Sequence, residues 1–257
     1  MTNTLPYSAH IGYLFQELPF LDRVRAAKLH GFAAVEHPSP YATPASDLAD
    51  CLSETGASYI QFGLRSGDAS KGEKGIAIFP ERWTEFTESV EEGILYARKI
   101  GVKLLHAMAG VVPSSARTDE NWEQYIQSLR YAAERAEEYG ITIIVEPMCH
   151  QAVPDYYVET PEVAARAIAA AGKRNIGLLL DVFHVITAGL DLDGQIRRYR
   201  EQIKHVHISD VPGRHEPGTG TIDFKQLKQT LLETQYRGYL GCEYIPRSNT
   251  IDGLNWM

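Results

Sequence analysis

The sequence predicts an α/β chain of the (β/α)8 TIM-barrel class, and three observations carry that expectation. Strand-like and helix-like segments alternate from end to end in eight β/α units. The chain's 257 residues match the roughly 250 that such a barrel uses. The first strand-like segment is not followed by the glycine-rich phosphate turn that a doubly wound open sheet would carry. With no composition break, linker or solenoid-type repeat, residues 1–257 read as a single domain.

The strand-like segments are Tyr7–Gly12, Ala33–Glu36, Ser58–Gly63, Lys103–Met108, Ile141–Glu146, Ile176–Asp181, His205–Ile208 and Tyr239–Glu243. The fifth is the clearest. Its apolar run Ile141–Val145, bounded by Gly140 and Pro147, suits a strand buried on both faces, as parallel sheets under helices require. Before the fourth strand, Phe86, Val90, Ile94 and Ala97 recur at helical spacing. Trp122, Tyr125, Leu129, Ala132 and Ala136 do so before the fifth. Thr160-Pro161-Glu162 supplies a cap, a first-turn proline and an early acid for a helix over Val163–Ala170. Asp223 is placed to cap Phe224–Thr230. Gly31, Gly101 and Gly140 each fall between a helix and the next strand, where a left-handed residue is expected. Two loops, Leu64–Pro80 and Gln202–Phe224 with its short strand, are long enough to be lids or binding loops. Both follow strand C-termini, the reactive face of a barrel.

Composition narrows the class of function. The chain is 44% hydrophobic and 23% charged, with a formal charge of -8 and a pI near 5.6. A nucleic-acid partner would require a basic face instead. Cys51, Cys149 and Cys242 are few, odd in number and widely spaced, as for reduced thiols in a cytoplasmic protein. The opening MTNTLPYSAHIGYLF lacks the pattern of a signal peptide. The longest apolar stretch is interrupted by Asp181 and His184 and is too short for a membrane span. The expected partner is therefore a small molecule, with neither nucleic acid nor membrane and with a homo-oligomer left open.

Strand ends point to the chemistry. Strand five ends in Glu146, strand six in Asp181, strand seven carries His207 and strand eight ends in Glu243. Side chains alternate along a strand. If these four face inward, then Ile143, Val145, Leu178, Leu180, Val206, Ile208, Leu240 and Cys242 face the helices, and all eight are apolar. Three carboxylates and an imidazole would then meet at the top of the barrel, where the acids cannot all stay ionised without a compensating cation. An oxygen-rich set with one nitrogen suits Mn²⁺, Mg²⁺ or Co²⁺. The competing structural reading is that each acid caps a helix or pairs with an arginine. Glu36 ends strand two, where it reaches either a substrate group or a supporting position. His150, four residues past Glu146, is placed toward the pocket. His10 and His106 read as core or rim histidines.

The chain resembles the hydroxypyruvate isomerase family of xylose isomerase-like TIM barrels. The likeness rests on YSAHIGYLFQELPFLDR, the KGEKGIA loop, YAAERAEEYGITIIVEP, LLLDVFH, HVHISDVPGRHEPGTGTIDF and GYLGCEY. HAMAGVVP and GRHEP look most like its 2-oxo-tetronate isomerase branch. The resemblance implies that Glu146, Asp181, His207 and Glu243 hold a divalent metal. It also implies that Glu146 and Glu243 are the acid/base pair, and that His184 and Arg214 touch substrate oxygens. The implied reaction interconverts a hydroxy-oxo acid and its isomer, either hydroxypyruvate with tartronate semialdehyde or a 2-oxo-tetronate, through an enediolate. A ketose 3-epimerase or dehydratase, an abasic-site endonuclease and a non-catalytic sugar-acid binding protein are the alternatives. Phe62-Gly63 stands where hydroxypyruvate isomerases are expected to carry His-Asn. His37-Pro38-Ser39-Pro40-Tyr41 replaces an FPY-like segment. Both departures are expected on the substrate side.

Overall fold

In the computed structural model, which describes residues 4–257, every strand pairing is parallel. The strands are β1 (Tyr7–His10), β2 (Ala34–Glu36), β3 (Ser58–Tyr59), β4 (Gln61–Gly63), β5 (Leu104–His106), β6 (Thr142–Val145), β7 (Ile176–Asp181), β8 (Ile203–Ile208) and β9 (Leu240–Cys242). Their order around the sheet is β3-β2-β1-β9-β8-β7-β6-β5-β4. The expected third strand is divided at Ile60. Ser58 and Tyr59 pair with β2, whereas Gln61–Gly63 pair with β5. One strand position is thus shared between two neighbours, and the ring has the (β/α)8 form. Residues 1–3, part of the segment read above for a signal, lie outside the described residues.

Among the described residues eight α-helices connect the strands: α1 (Phe20–Leu29), α2 (Ala45–Thr55), α3 (Trp83–Ile100), α4 (Asp119–Glu137), α5 (Pro161–Ala171), α6 (Val182–Thr187), α7 (Leu192–Tyr199) and α8 (Phe224–Glu233). The expected punctuation is present. The Thr160 hydroxyl accepts from the Val163 N–H, and the Asp223 carboxylate accepts from the N–H groups of Lys225 and Gln226. Gly101 ends α3 at φ 77°, a conformation that costs glycine nothing. Among the described residues no helix is long and apolar enough to cross a membrane.

The apolar core lies between the ring of strands and the helices. Ile143, Val145, Leu178, Leu180, Val206, Ile208, Leu240 and Cys242 all belong to it and are at most 1% exposed. Ile144 and Leu179, which alternate with them, are buried but not part of that cluster. The same alternation gives the strands a second buried set that is polar: Ser8, His10, Glu36, Gln61, His106, His205 and His207. Buried polar groups are costly without partners, so this layer specifies much of the geometry above it.

The loop after β4 is fastened to the end of β5. Gly75 bridges Ala109 in antiparallel fashion, and its N–H donates to the Ser66 carbonyl at 2.8 Å. At Gly75 φ is 105°, and an added Cβ would sit 2.2 Å from the Met108 carbonyl oxygen. Gly75→Ala should therefore cost about 1–3 kcal/mol in chemical denaturation. Unchanged stability would show that the loop is not held against Met108.

Candidate metal centre and active site

Glu146, Asp181, His207 and Glu243 each offer a ligand atom, and these atoms all lie within 4.8 Å of one another. Their convergence follows from the strands. Glu146 comes immediately after β6, Asp181 is the last residue of β7, His207 is the next-to-last of β8 and Glu243 follows β9. Neighbouring strands in parallel register carry their ends to one level; Asp181 is directly opposite His207, and His207 is opposite Gly241.

His207 is central to the geometry. Its Nδ1 lies 3.2 Å from Glu243 Oε2 and 3.8 Å from Glu146 Oε1, and its Nε2 lies 3.5 Å from Glu36 Oε2. Burial would lower its pKa, but Glu243 and Glu36 outweigh burial and raise it well above the ordinary histidine value. Glu146 moves in the opposite sense. Burial would raise its pKa, and His207 brings it below the usual carboxylate value. Burial likewise works to raise Glu243, yet Arg214 and His207 hold it well below that range. Asp181 differs, because burial prevails over Arg214 and raises its pKa.

Arg214 lies across the same acids. Its Nη2 donates to Asp181 Oδ2 at 2.7 Å and also to Glu243 Oε2. Asp181 uses its other oxygen to cap α6, accepting from the Phe183 N–H at 2.8 Å. The competing expectation, helix capping and arginine pairing, is thus realised at Asp181, and pairing alone at Glu243. It does not explain Glu146, whose ion-pair partners are two histidines, or the unpartnered ring nitrogens of His207. Three carboxylates with an inward imidazole, charge-balanced here by a guanidinium, fit a divalent cation of the hard, oxygen-seeking kind.

The loop that presents Arg214 has its own anchor, which sequence reasoning missed. The Asp210 carboxylate accepts from the N–H groups of Val211, Gly218, Gly220 and Ile222. Arg214 itself has φ 55°, a left-handed conformation rare for such a residue. Its carbonyl is held by the Ile245 N–H at 2.8 Å.

A cavity of ≈ 140 Å³ opens over these groups, lined by His10, Tyr13, Pro38, Gln61, Lys74, His106, Met108, Glu146, Met148, Val153, His184, His207, Arg214 and Glu243. Of the expected substrate contacts, His184 and Arg214 line it. The Cys149 N–H donates to His184 Nδ1 at 3.3 Å, so neutral His184 carries its proton on Nε2, 3.7 Å from Asp181 Oδ2. Glu36 and His150 are not brought to the wall. Glu36 is 0% exposed and bonded to His205, because its strand turns the side chain into the polar layer below. His150 is exposed, and its Nδ1 accepts from the Asp155 N–H. The Phe62-Gly63 departure also lies elsewhere than expected. Phe62 is packed edge-on against Tyr41 and Tyr96 in the outer core, and Gln61 takes the cavity side.

His10 and His106, read from sequence as core or rim residues, each face one glutamate. His10 Nε2 lies 3.6 Å from Glu243 Oε1, and His106 Nδ1 lies 3.8 Å from Glu146 Oε2. Burial lowers both histidine pKa values. Each ends a strand, so the rule that identified the acids would have found them too. Lys74, in the long loop flagged above, was missed as an individual residue.

The family described as xylose isomerase-like TIM barrel matches residues 24–257. A 2-oxo-tetronate isomerase of Haemophilus influenzae is 34% identical over 97% of this chain and 97% of its own length. The hydroxypyruvate isomerase of Escherichia coli K12 is 32% identical, covering 98% of each chain. Among solved structures, a Brucella melitensis protein described as an AP endonuclease of family 2 superposes with a TM-score of 0.96. It is 33% identical, and 98% of each chain is covered.

A ligand that binds only the folded state stabilises it by about 2.7 kcal/mol at a hundredfold excess over Kd. Mn²⁺ should therefore raise the melting temperature of metal-free protein by on the order of 5–10 °C. Asp181→Asn, which retains a capping side chain, should lose most of that increase. An equal increase in the variant would remove Asp181 from the site.

Proposed function

The chain belongs to the xylose isomerase-like TIM-barrel family, it is an isomerase like its curated relatives, and we propose that it interconverts a small hydroxy-oxo acid and its aldehyde or ketone isomer. The convergence of Glu146, Asp181, His207 and Glu243, with Glu146, His207 and Glu243 lining one cavity, carries the proposal. Hydroxypyruvate and 2-oxo-tetronate, the substrates named for the relatives, are the proposed substrate class.

Cavity size supports a short substrate. At ≈ 140 Å³ it holds the equivalent of about five waters at ~30 Å³ each, well below the ~300 Å³ at which drug-sized sites begin. Charge supports an acid. In the loop over the site, Lys71 pairs with Asp68 and Glu73 pairs with Arg82. Lys74 lines the cavity and has no ion-pair partner among the described residues, which leaves its ammonium for a substrate carboxylate. Arg214 is occupied by Asp181 and Glu243.

In the proposed reaction one glutamate of the Glu146–Glu243 pair takes the C–H proton beside the substrate carbonyl, giving an enediolate. A proton is then returned to the neighbouring carbon, and the hydroxyl proton passes to the former carbonyl oxygen, so the atoms balance. His106 and His10, against the two glutamates, limit where each carboxylate can turn. His184 presents its Nε2–H to a substrate oxygen. Met148, Val153 and Pro38 exclude water from the reacting carbons. A divalent cation held by the four convergent side chains, with Mg²⁺ and Mn²⁺ the best chemical matches, would stabilise the negative charge that develops on the substrate oxygens.

Glu146→Gln and Glu243→Gln should each lower kcat by about 10²–10⁴-fold, with circular dichroism unchanged, when product formation from hydroxypyruvate and 2-oxo-tetronate is followed by NMR in D₂O. Near-normal rates in both variants would refute the acid/base assignment. Tight binding with no solvent deuterium uptake by the parent would point to a binding protein. Lys74→Met should raise KM for the acid substrate by roughly 10–100-fold, the loss of one charged hydrogen bond, with a smaller change in kcat. An unchanged KM would place the carboxylate elsewhere.

A further inference from the structure

Beneath the four convergent side chains, Glu36 is a carboxylate with no exposure and no place in the reaction above. Its Oε2 lies 2.7 Å from His205 Nε2 and 3.5 Å from His207 Nε2. The two imidazoles are edge-to-face, with centroids 4.9 Å apart. The arrangement needs the glycine opposite. A Cβ on Gly241 would fall 2.0 Å from Glu36 Oε1, 2.6 Å from His207 Cδ2 and 2.9 Å from His205 Nε2. Space in the barrel is therefore reserved for this carboxylate between the two rings.

We infer that Glu36 is a positioning residue for His207, holding the Nε2 side of the ring so that Nδ1 is turned on Glu146, Asp181 and Glu243. An imidazole has two chemically distinct nitrogens, and the partner of one decides what the other can do. Glu36 Oε2 is the carboxylate oxygen on the Nε2 side, 3.5 Å away, so a proton kept on Nε2 would leave the Nδ1 lone pair for a cation among the acids. A carboxylate behind a ligating histidine also makes the ring a better donor. His205 supplies the second contact that an otherwise lone buried carboxylate lacks. Glu36, His205 and His207 could by composition hold an ion themselves, but the 2.7 Å contact between Glu36 and His205 is a direct hydrogen bond and leaves no gap for one.

The inference rests on the proposed cation site, so its test must separate the two. Calorimetric titration of metal-free protein with Mn²⁺ gives stoichiometry and affinity for the parent, Glu36→Gln and Glu36→Asp. The expected result is one ion per chain throughout. Affinity should fall by about 10–100-fold in Glu36→Gln, as for other carboxylates behind metal-bound histidines, and by less in Glu36→Asp, which keeps the charge on a shorter arm. Melting temperatures without metal should change little beside that loss. Equal affinities in parent and variants, or a lower metal-free melting temperature as the sole effect, overturn the inference and leave the cation site standing. Two ions per chain in the parent overturn it by making Glu36 a ligand. A parent that takes up no Mn²⁺ overturns the cation site and this inference together.

Discussion

Mutual repulsion among Glu146, Asp181 and Glu243 is the constraint on which the upper half of the barrel depends. Their ligand atoms share a space under 4.8 Å across with His207, where unscreened like charges would force protons onto the acids. The chain answers with positive charge from two directions. Arg214 enters from the loop above, donating to Asp181 and Glu243. His207 rises from the strand layer between Glu146 and Glu243. Each is itself held. Asp210 gathers four backbone N–H groups to shape the loop that carries Arg214, and Glu36 lies behind His207.

The same constraint bears on the proposed substrate. An anionic molecule approaching three carboxylates would need a cation at its far end, and Lys74 lines the cavity from a loop pinned to Ala109 through Gly75. Glu146 and Glu243 both line the small cavity. The wider grooves of ≈ 630 Å³ and ≈ 320 Å³ lie along α8 and between α6, α7 and α8. Neither is lined by Glu146, Asp181, His207 or Glu243.

Much of this was legible in the chain because period-two alternation leaves a strong mark where strands are buried. The apolar positions flanking Glu146, Asp181, His207 and Glu243 all fall in the outer core, and the four residues between them converge as the pattern implied. Glu36 illustrates the limit. A strand end specifies that a side chain faces inward, but not its depth, and Glu36 falls below the cavity because His205 and His207 on β8 occupy its level. His150 illustrates another, since spacing past a strand end says nothing about which way a loop turns. Phe62 was misplaced because the division at Ile60 hands the inner face to Gln61. Lys74 and Asp210 act through loop conformation, which depends on long-range hydrogen bonds that local sequence does not encode.

Anomalous diffraction from crystals of the protein soaked in Mn²⁺ tests the central claim most directly, because it locates the ion among candidate donors. The account predicts one strong peak enclosed by Glu146, Asp181, His207 and Glu243, with the Arg214 guanidinium withdrawn from at least one of its two carboxylates. Absence of a peak there at saturating Mn²⁺, or a peak between Glu36, His205 and His207 instead, would contradict it.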